Sequence, residues 1–264
     1  MRLARPGADL AQRARRRRLV RVLELAVVVL VIATGARVLV GLATVGSRDE
    51  QRRYPLSGGR LVIEVRGGGA LRVTPGPAGV VEVDRHLSYA PPAPRAFQSL
   101  EGDRLRLRLD CGNVQLVRCE ARYAVRVPST VSLRVDAPSS GLRVEGIAGD
   151  LDLAAENVTL DGASGQVRLR APSGTIDATG LRSADVEASA GQAVRLGFAT
   201  APRRVVARAG DAQAAVTVPA GSGPYRVEAR SEPGRTTVAV RSDPAANSTI
   251  TASSDNGHVV VREA

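Results

Sequence analysis

From residue 140 onward, aliphatic residues recur as pairs split by one polar or small position, and the pairs return mostly every 8 to 12 residues. The series runs Leu142/Val144, Leu151/Leu153, Val158/Leu160, Val167/Leu169, Ile176/Ala178, Val186/Ala188 and Val194/Leu196. It continues with Val206, Val216/Val218, Val227/Ala229, Val238/Val240, Ile250/Ala252 and Val259/Val261. A period of two places one face inside and one outside, the pattern of a half-buried strand. Between the pairs stand small turn formers, among them Ser140-Gly141, Gly149-Asp150, Ser164-Gly165, Ser173-Gly174, Ala190-Gly191, Ala209-Gly210, Pro233-Gly234 and Asn256-Gly257. Such residues let the chain turn a corner where a bulky side chain would be strained.

Short strands at even spacing fit a sandwich, a barrel or a solenoid. Aromatic residues make up only 2% of the chain and tryptophan is absent. A sandwich core normally relies on large rings, whereas Val, Leu, Ile and Ala suit the narrow interior between stacked coils. The sequence therefore predicts an all-β, solenoid-like stack over 140–264. Residues 57–139 alternate as well, as in Leu61, Ile63, Val65 and Leu105, Leu107, Leu109, and include the proline-rich Ala90–Pro94. They read as an N-terminal β section that caps the stack.

Upstream the pattern is different. Val22 to Val45 is a 24-residue run with fourteen Leu, Ile or Val residues. As a helix it would extend about 36 Å, enough for a hydrocarbon core of about 30 Å. Glu24 lies at one edge and Arg37 near the other, where its long side chain can reach the interface. Arg13, Arg15, Arg16, Arg17, Arg18 and Arg21 precede the run directly. Positive residues stay on the cytoplasmic side, which gives a cytoplasmic tail at 1–21 and a single transmembrane helix at 22–45. A polar linker at 46–56 follows, and the β domain lies outside the cell membrane. The competing reading is a cleaved signal peptide cut near Thr34-Gly35-Ala36. Both readings export the large domain.

The formal net charge is +11, with 37 basic residues that are all arginine. Residues 1–24 carry a net +6, and residues 54–264 only +3. A nucleic-acid partner needs a concentrated basic face and stacking aromatics, and the exported part supplies neither. Cys111 and Cys119 sit in CGNVQLVRC, flanking a turn. In an oxidising compartment a short-loop disulfide is the expected state, with two buried thiols the alternative. Two cysteines with His86 and His258 far off in sequence do not make a metal site.

No Gly-x-Ser-x-Gly elbow, phosphate loop or His-Glu-x-x-His motif occurs. Solenoids do host polysaccharide hydrolases, which need two carboxylates about 5–10 Å apart. Asp150 and Asp152 meet that spacing along a strand, with Asp161, Asp177 and Asp185 on later coils. Aspartates at turns and outward positions also serve solvation and local hydrogen bonding. The same choice applies to His86 and His258, as a catalytic base or as surface residues. Arg104, Arg106, Arg108, Arg168 and Arg170 mark an outward face that is either simply solvated or docks an anionic cell-wall polymer.

The ordered series resembles the bacterial putative-adhesin β-strand-repeat family, membrane-attached actinobacterial proteins with a domain of unknown function. The resemblance rests on Tyr54-Pro-Leu-Ser-Gly-Gly, Tyr123-Ala-Val-Arg-Val-Pro128 and the Ser-Gly-x-Val units from Ser139 to Leu196. Ala201–Ala207, Val216–Pro219, Pro224–Val227 and Ser254–Val261 complete it. It implies an exported all-β repeat domain and brings no catalytic residues or cofactor. The expected function is a non-catalytic, adhesin-like binding or scaffold module at the cell envelope, with a wall polymer or an envelope protein as partner. The alternatives are a polysaccharide-active enzyme and an envelope signalling or stress component.

Overall fold

The alternating pairs fold into strands that stack in register. The computed structural model describes residues 27–32, 34–35, 46–90, 92–112 and 119–264. Of the expected membrane span, residues 27–32 and 34–35 are described; they are helical with exposed side chains. Among the described residues no helix is long and apolar enough to cross a membrane. The rest of the span, the tail 1–21 and its arginines at 13, 15, 16, 17, 18 and 21 lie outside the described residues.

Each coil contributes one strand to each of two sheets. The first sheet contains, in spatial order, β5 (Arg95–Glu101), β6 (Arg104–Asp110) and β2 (Arg60–Arg66), then the first half of β8 (Ser132–Glu145) and of β9 (Leu151–Asp161). It goes on with β10 (Val167–Ala171), β12 (Asp185–Ala190), β14 (Arg204–Ala209), β18 (Thr249–Ser254) and β16 (Arg226–Ser231). The second sheet runs β1 (Gly46–Pro55), β4 (Val80–Tyr89), β7 (Cys119–Pro128), β3 (Gly69–Gly76), then the second halves of β8 and β9. It ends with β11 (Ile176–Leu181), β13 (Val194–Phe198), β15 (Ala214–Val218), β19 (Val259–Glu263) and β17 (Thr236–Ala239). All these pairings are parallel except β5–β6, β1–β4 and β4–β7.

Parallel register lines the apolar pairs up into columns. Leu133, Leu151, Val167, Val186, Val205 and Ile250 form one, and Val135, Leu153, Leu169, Ala188, Ala207 and Ala252 the next. On the facing sheet Val144, Leu160, Ala178, Leu196, Val216 and Val261 succeed one another. All are buried and belong to one core. At the corner the first sheet narrows to Ala137, Ala155, Ala171, Ala190 and Ala209, because the chain turns tightly there and only a methyl fits. One expected inward residue takes a different place. Val206 is buried, as expected, but lies outside the columns, level with Glu187 and Thr251, while its neighbours Val205 and Ala207 fill them.

Two expectations are corrected. Residues 46–56 are not a linker over most of their length. Gly46–Pro55 forms β1, antiparallel to β4, because charged residues alternate harmlessly on an edge strand that has one partner. Nor does the chain divide at 139/140, since β8 runs through that point and the same core continues on both sides. At both ends the coil order also departs from sequence order. The β2/β3 coil lies between β6/β7 and β8, and β18/β19 lies between β14/β15 and β16/β17. In the second case the two coils have similar aliphatic pairs, but β16 carries Arg226, Glu228 and Arg230 where β18 carries Thr249, Thr251 and Ser253. Ile250, Ala252, Val259 and Val261 are fully buried, whereas β17 is exposed throughout and Val227 and Ala229 are only half-buried. The more polar coil takes the solvated end of the stack.

Candidate functional site

The outer surface of the second sheet carries a groove with a volume of about 750 Å³. Register builds it. One wall is the row Asp49, His86, Arg122, Ala70, Gly141 and Asn157, one residue from each of six neighbouring strands. The other is the row Gln51, Asp84, Ala124, Arg72, Arg143 and Thr159, two residues further along the same strands. The groove therefore runs across the strands, about 24 Å from β1 to β9 at the usual inter-strand spacing. Ala70, Ala124 and Gly141 rise little above the backbone, so the walls are low in the middle and the floor is broad. A Cβ added at Gly141 would meet nothing within 4 Å.

Charge is unevenly spread along the groove. Arg72 and Arg143, adjacent across β3 and β8, both donate to Glu145, Arg72 at 3.0 Å. These two guanidinium groups hold the Glu145 carboxyl below the usual carboxylate range. Arg122 pairs with Glu120 at 3.2 Å. Toward the β1 end, Asp49 lies 2.5 Å from His86 Nδ1, and Asp84 accepts from Arg126 at 3.0 Å. The middle residues of the same strand triplets point inward beneath the groove. Among them Arg85 is 5% exposed and donates to Glu50. Burial acts to raise the Glu50 carboxyl, but the hydrogen bond from Arg52 and the charges of Arg85, Arg52 and Arg48 prevail and lower it. Burial pushes the neighbouring Tyr123 phenol up.

The outer surface of the first sheet is an arginine ladder interleaved with acids. Glu64 lies 3.4 Å from Arg104 and 3.7 Å from Arg106, and Arg66 donates to Asp136 at 2.7 Å. Asp152 sits between Arg170 at 3.0 Å and Arg134 at 3.8 Å. Arg108 and Arg168 make no ion pair among the described residues. These exposed pairs contribute little stability each, because solvent screens them.

Of the aspartates singled out by spacing, Asp150 and Asp152 line one cleft with Asp103, and Asp161, Asp177 and Asp185 lie apart from it. Asp150 and Asp152 lie at the start of β9 on the first sheet, and Asp150 accepts the Gln166 N–H at 2.9 Å. Asp161 and Asp177 belong to the second sheet, where Asp161 accepts from the Thr179 hydroxyl and Asp177 lies 4.0 Å from Arg195. Asp185 pairs with Arg203 at 2.5 Å. His258 Nδ1 accepts the Arg235 N–H at 3.1 Å in a turn. Among the described residues no three His, Cys, Asp or Glu side chains are grouped to hold a metal. Cys111 and Cys119 are joined as a disulfide that ties the end of β6 to the start of β7 across the two sheets. Sequence reading did not find the groove. Its walls come from six strands of which β1 was read as linker, and its signal, small residues at Ala70, Ala124 and Gly141 flanked by arginines, appears only once the register is known.

No family model and no curated protein matches the chain. Among solved structures it is similar to a putative cell adhesion protein from Clostridium sporogenes, at 9% identity and a TM-score of 0.35, covering 83% of this chain and 100% of that one. It is also similar to a putative adhesin from Bacteroides fragilis, at 14% identity and a TM-score of 0.40, covering 82% and 97%. A putative adhesin from Parabacteroides distasonis matches at 10% identity and a TM-score of 0.34, again covering 82% and 97%.

Proposed function

We propose that this protein is a non-catalytic, adhesin-like binding module, held at the cell envelope by a single N-terminal membrane helix, with its β domain outside and its arginine-rich tail in the cytoplasm. The observation that carries the reading is the long groove, rimmed by charged residues over a mostly apolar lining, laid across six in-register strands of the stack. A groove of this kind offers many weak, repeated contacts to an extended partner, which is how a display surface works. The acids that a hydrolase would need are engaged instead by arginines and backbone N–H groups. The disulfide fits an oxidising compartment, and the basic cluster ahead of residues 22–45 fits an inward N-terminus. The partner in this reading is an anionic polymer of the cell wall.

The test uses the full chain in detergent micelles, sedimented with purified wall material and with the same material stripped of its anionic polymers. Retention on the first and release from the second is the expected result. Equal recovery in both supernatants would overturn the reading, as would turnover of any glycan in the material.

A further inference from the structure

We infer that the groove of the second sheet binds a linear oligosaccharide bearing carboxylates, seated along the stack with its acidic groups over β3 and β8. The inference rests on the reading of the protein as a binding module and names the ligand class of that site.

Three observations carry it. First, the strands from β4 to β9 beneath the groove are paired on both sides, so an extended peptide finds no free backbone edge within it, only the outer edge of β1 at its end, and edge pairing is the usual way a sheet takes a peptide. The lining is mostly apolar, but in mid-groove it is spread over the small residues Ala70, Ala124 and Gly141 rather than gathered into pockets for alternating side chains. Second, Arg72 and Arg143 share the single carboxylate of Glu145, which leaves donor capacity on two adjacent guanidinium groups facing the groove. Both side chains are more than half exposed, 58% and 56%. A second carboxylate lying between them completes two forks with charge-assisted hydrogen bonds. Third, the β9 end of the walls carries the hydroxyl of Thr159 and the amide of Asn157, while the β1 end carries Gln51 with Asp49, His86 and Asp84, two acids that confine the ligand's carboxylates to the arginine stretch over β3 and β8. The hydroxyl and amide groups are the partners that ring hydroxyls require. The broad, low floor accommodates flat rings, and the length of about 24 Å suits a chain of several sugars rather than a single one.

Gly141 provides the decisive variant. Its backbone is not in the left-handed region, and space over its Cα is open. Gly141→Leu therefore fills the groove without disturbing the core, and in mid-strand it removes a residue that weakens strands. The experiment measures fluorescence polarisation of labelled hexagalacturonate with the full chain in detergent, using maltohexaose and polyglutamate as competitors. Wild type is expected to bind the probe, more weakly as salt rises. Gly141→Leu and the double variant Arg72→Gln/Arg143→Gln are each expected to lose at least tenfold in affinity with thermal unfolding unchanged for the leucine variant. Arg168→Gln on the first sheet is expected to bind as wild type does. Absence of binding, wild-type affinity in Gly141→Leu, or stronger displacement by polyglutamate than by unlabelled hexagalacturonate would each overturn the inference. If wild type and Gly141→Leu are both retained equally on wall material, the module reading stands and the groove assignment falls.

Discussion

Gly210 lies directly on Gly191 in the next coil, so that a Cβ on Gly210 would come within 2.3 Å of the Gly191 carbonyl oxygen. The contact is backbone against backbone, and no side chain can swing away to relieve it. Gly210→Ala is expected to destabilise the protein by about 1–3 kcal/mol, the usual cost of overpacking. Gly59→Ala, where nothing lies within 4 Å, is expected to stay within about 0.5 kcal/mol. Chemical denaturation of the two variants side by side checks this.

The Arg85–Glu50 pair joins β4 to β1 from within. Removing Glu50 strands a buried guanidinium, a change that costs about 3–5 kcal/mol in a fully buried pair. Glu50 is itself 21% exposed, so Glu50→Ala is expected near or below the lower end. Arg85→Leu/Glu50→Leu together are expected to recover much of the loss. A double-mutant cycle measures the coupling.

Acid is expected to weaken the fold through Glu50 and Glu145, whose carboxyls are both held below their ordinary range. A carboxyl depressed in the folded state contributes stability that is fully present above its unfolded pKa of about 4.3 and is lost as pH falls through the lower folded value. The unfolding temperature should thus be flat from pH 7 to about pH 5 and fall below pH about 4. In the double variant Glu50→Gln/Glu145→Gln that decline is expected to be shallower.

Leu153 stands in the middle of its column and is fully buried. Leu153→Ala is expected to cost about 2–5 kcal/mol, from lost transfer energy and the cavity left between coils. Val238→Ala on the exposed terminal coil, with Val238 42% exposed, is expected to change stability by no more than about 0.5 kcal/mol.

Reducing Cys111–Cys119 is expected to cost about 2–3 kcal/mol through the short loop it closes. Unfolding followed with and without reductant, in the wild type and in Cys111→Ser/Cys119→Ser, checks the value.

The core was largely legible in the sequence, and the groove was not. Alternation identifies Leu151/Leu153 or Val194/Leu196 as inward residues because burial of one face imposes a period of two on each strand by itself. It is blurred at Val206, where Val205, Val206 and Ala207 are all apolar and buried, although Arg204 and Arg208 mark the outer face two residues to either side. It fails at Gly46–Pro55 for the opposite reason. That strand contacts one neighbour and keeps charges on both sides, so nothing in its composition separates it from a linker. Pairing order is a non-local property as well. No feature of Thr249–Glu263 alone tells that it slips in ahead of Arg226–Ala239. The groove depends on all three, on β1, on register and on the β2/β3 insertion that brings Arg72 beside Arg143.

The interchange of coils at both extremities governs how such a rod is finished and how it can evolve. Synthesis delivers Arg226–Ala239 before its neighbour exists, so that coil stays without its template until Thr249–Glu263 emerges. Loss of Thr249–Glu263 would leave the hydrophobic interior open at β14 and β15, whereas an additional turn spliced in among β9 to β13 would meet matching aliphatic surfaces above and below. Lengthening by duplication is thus confined to the middle of the molecule.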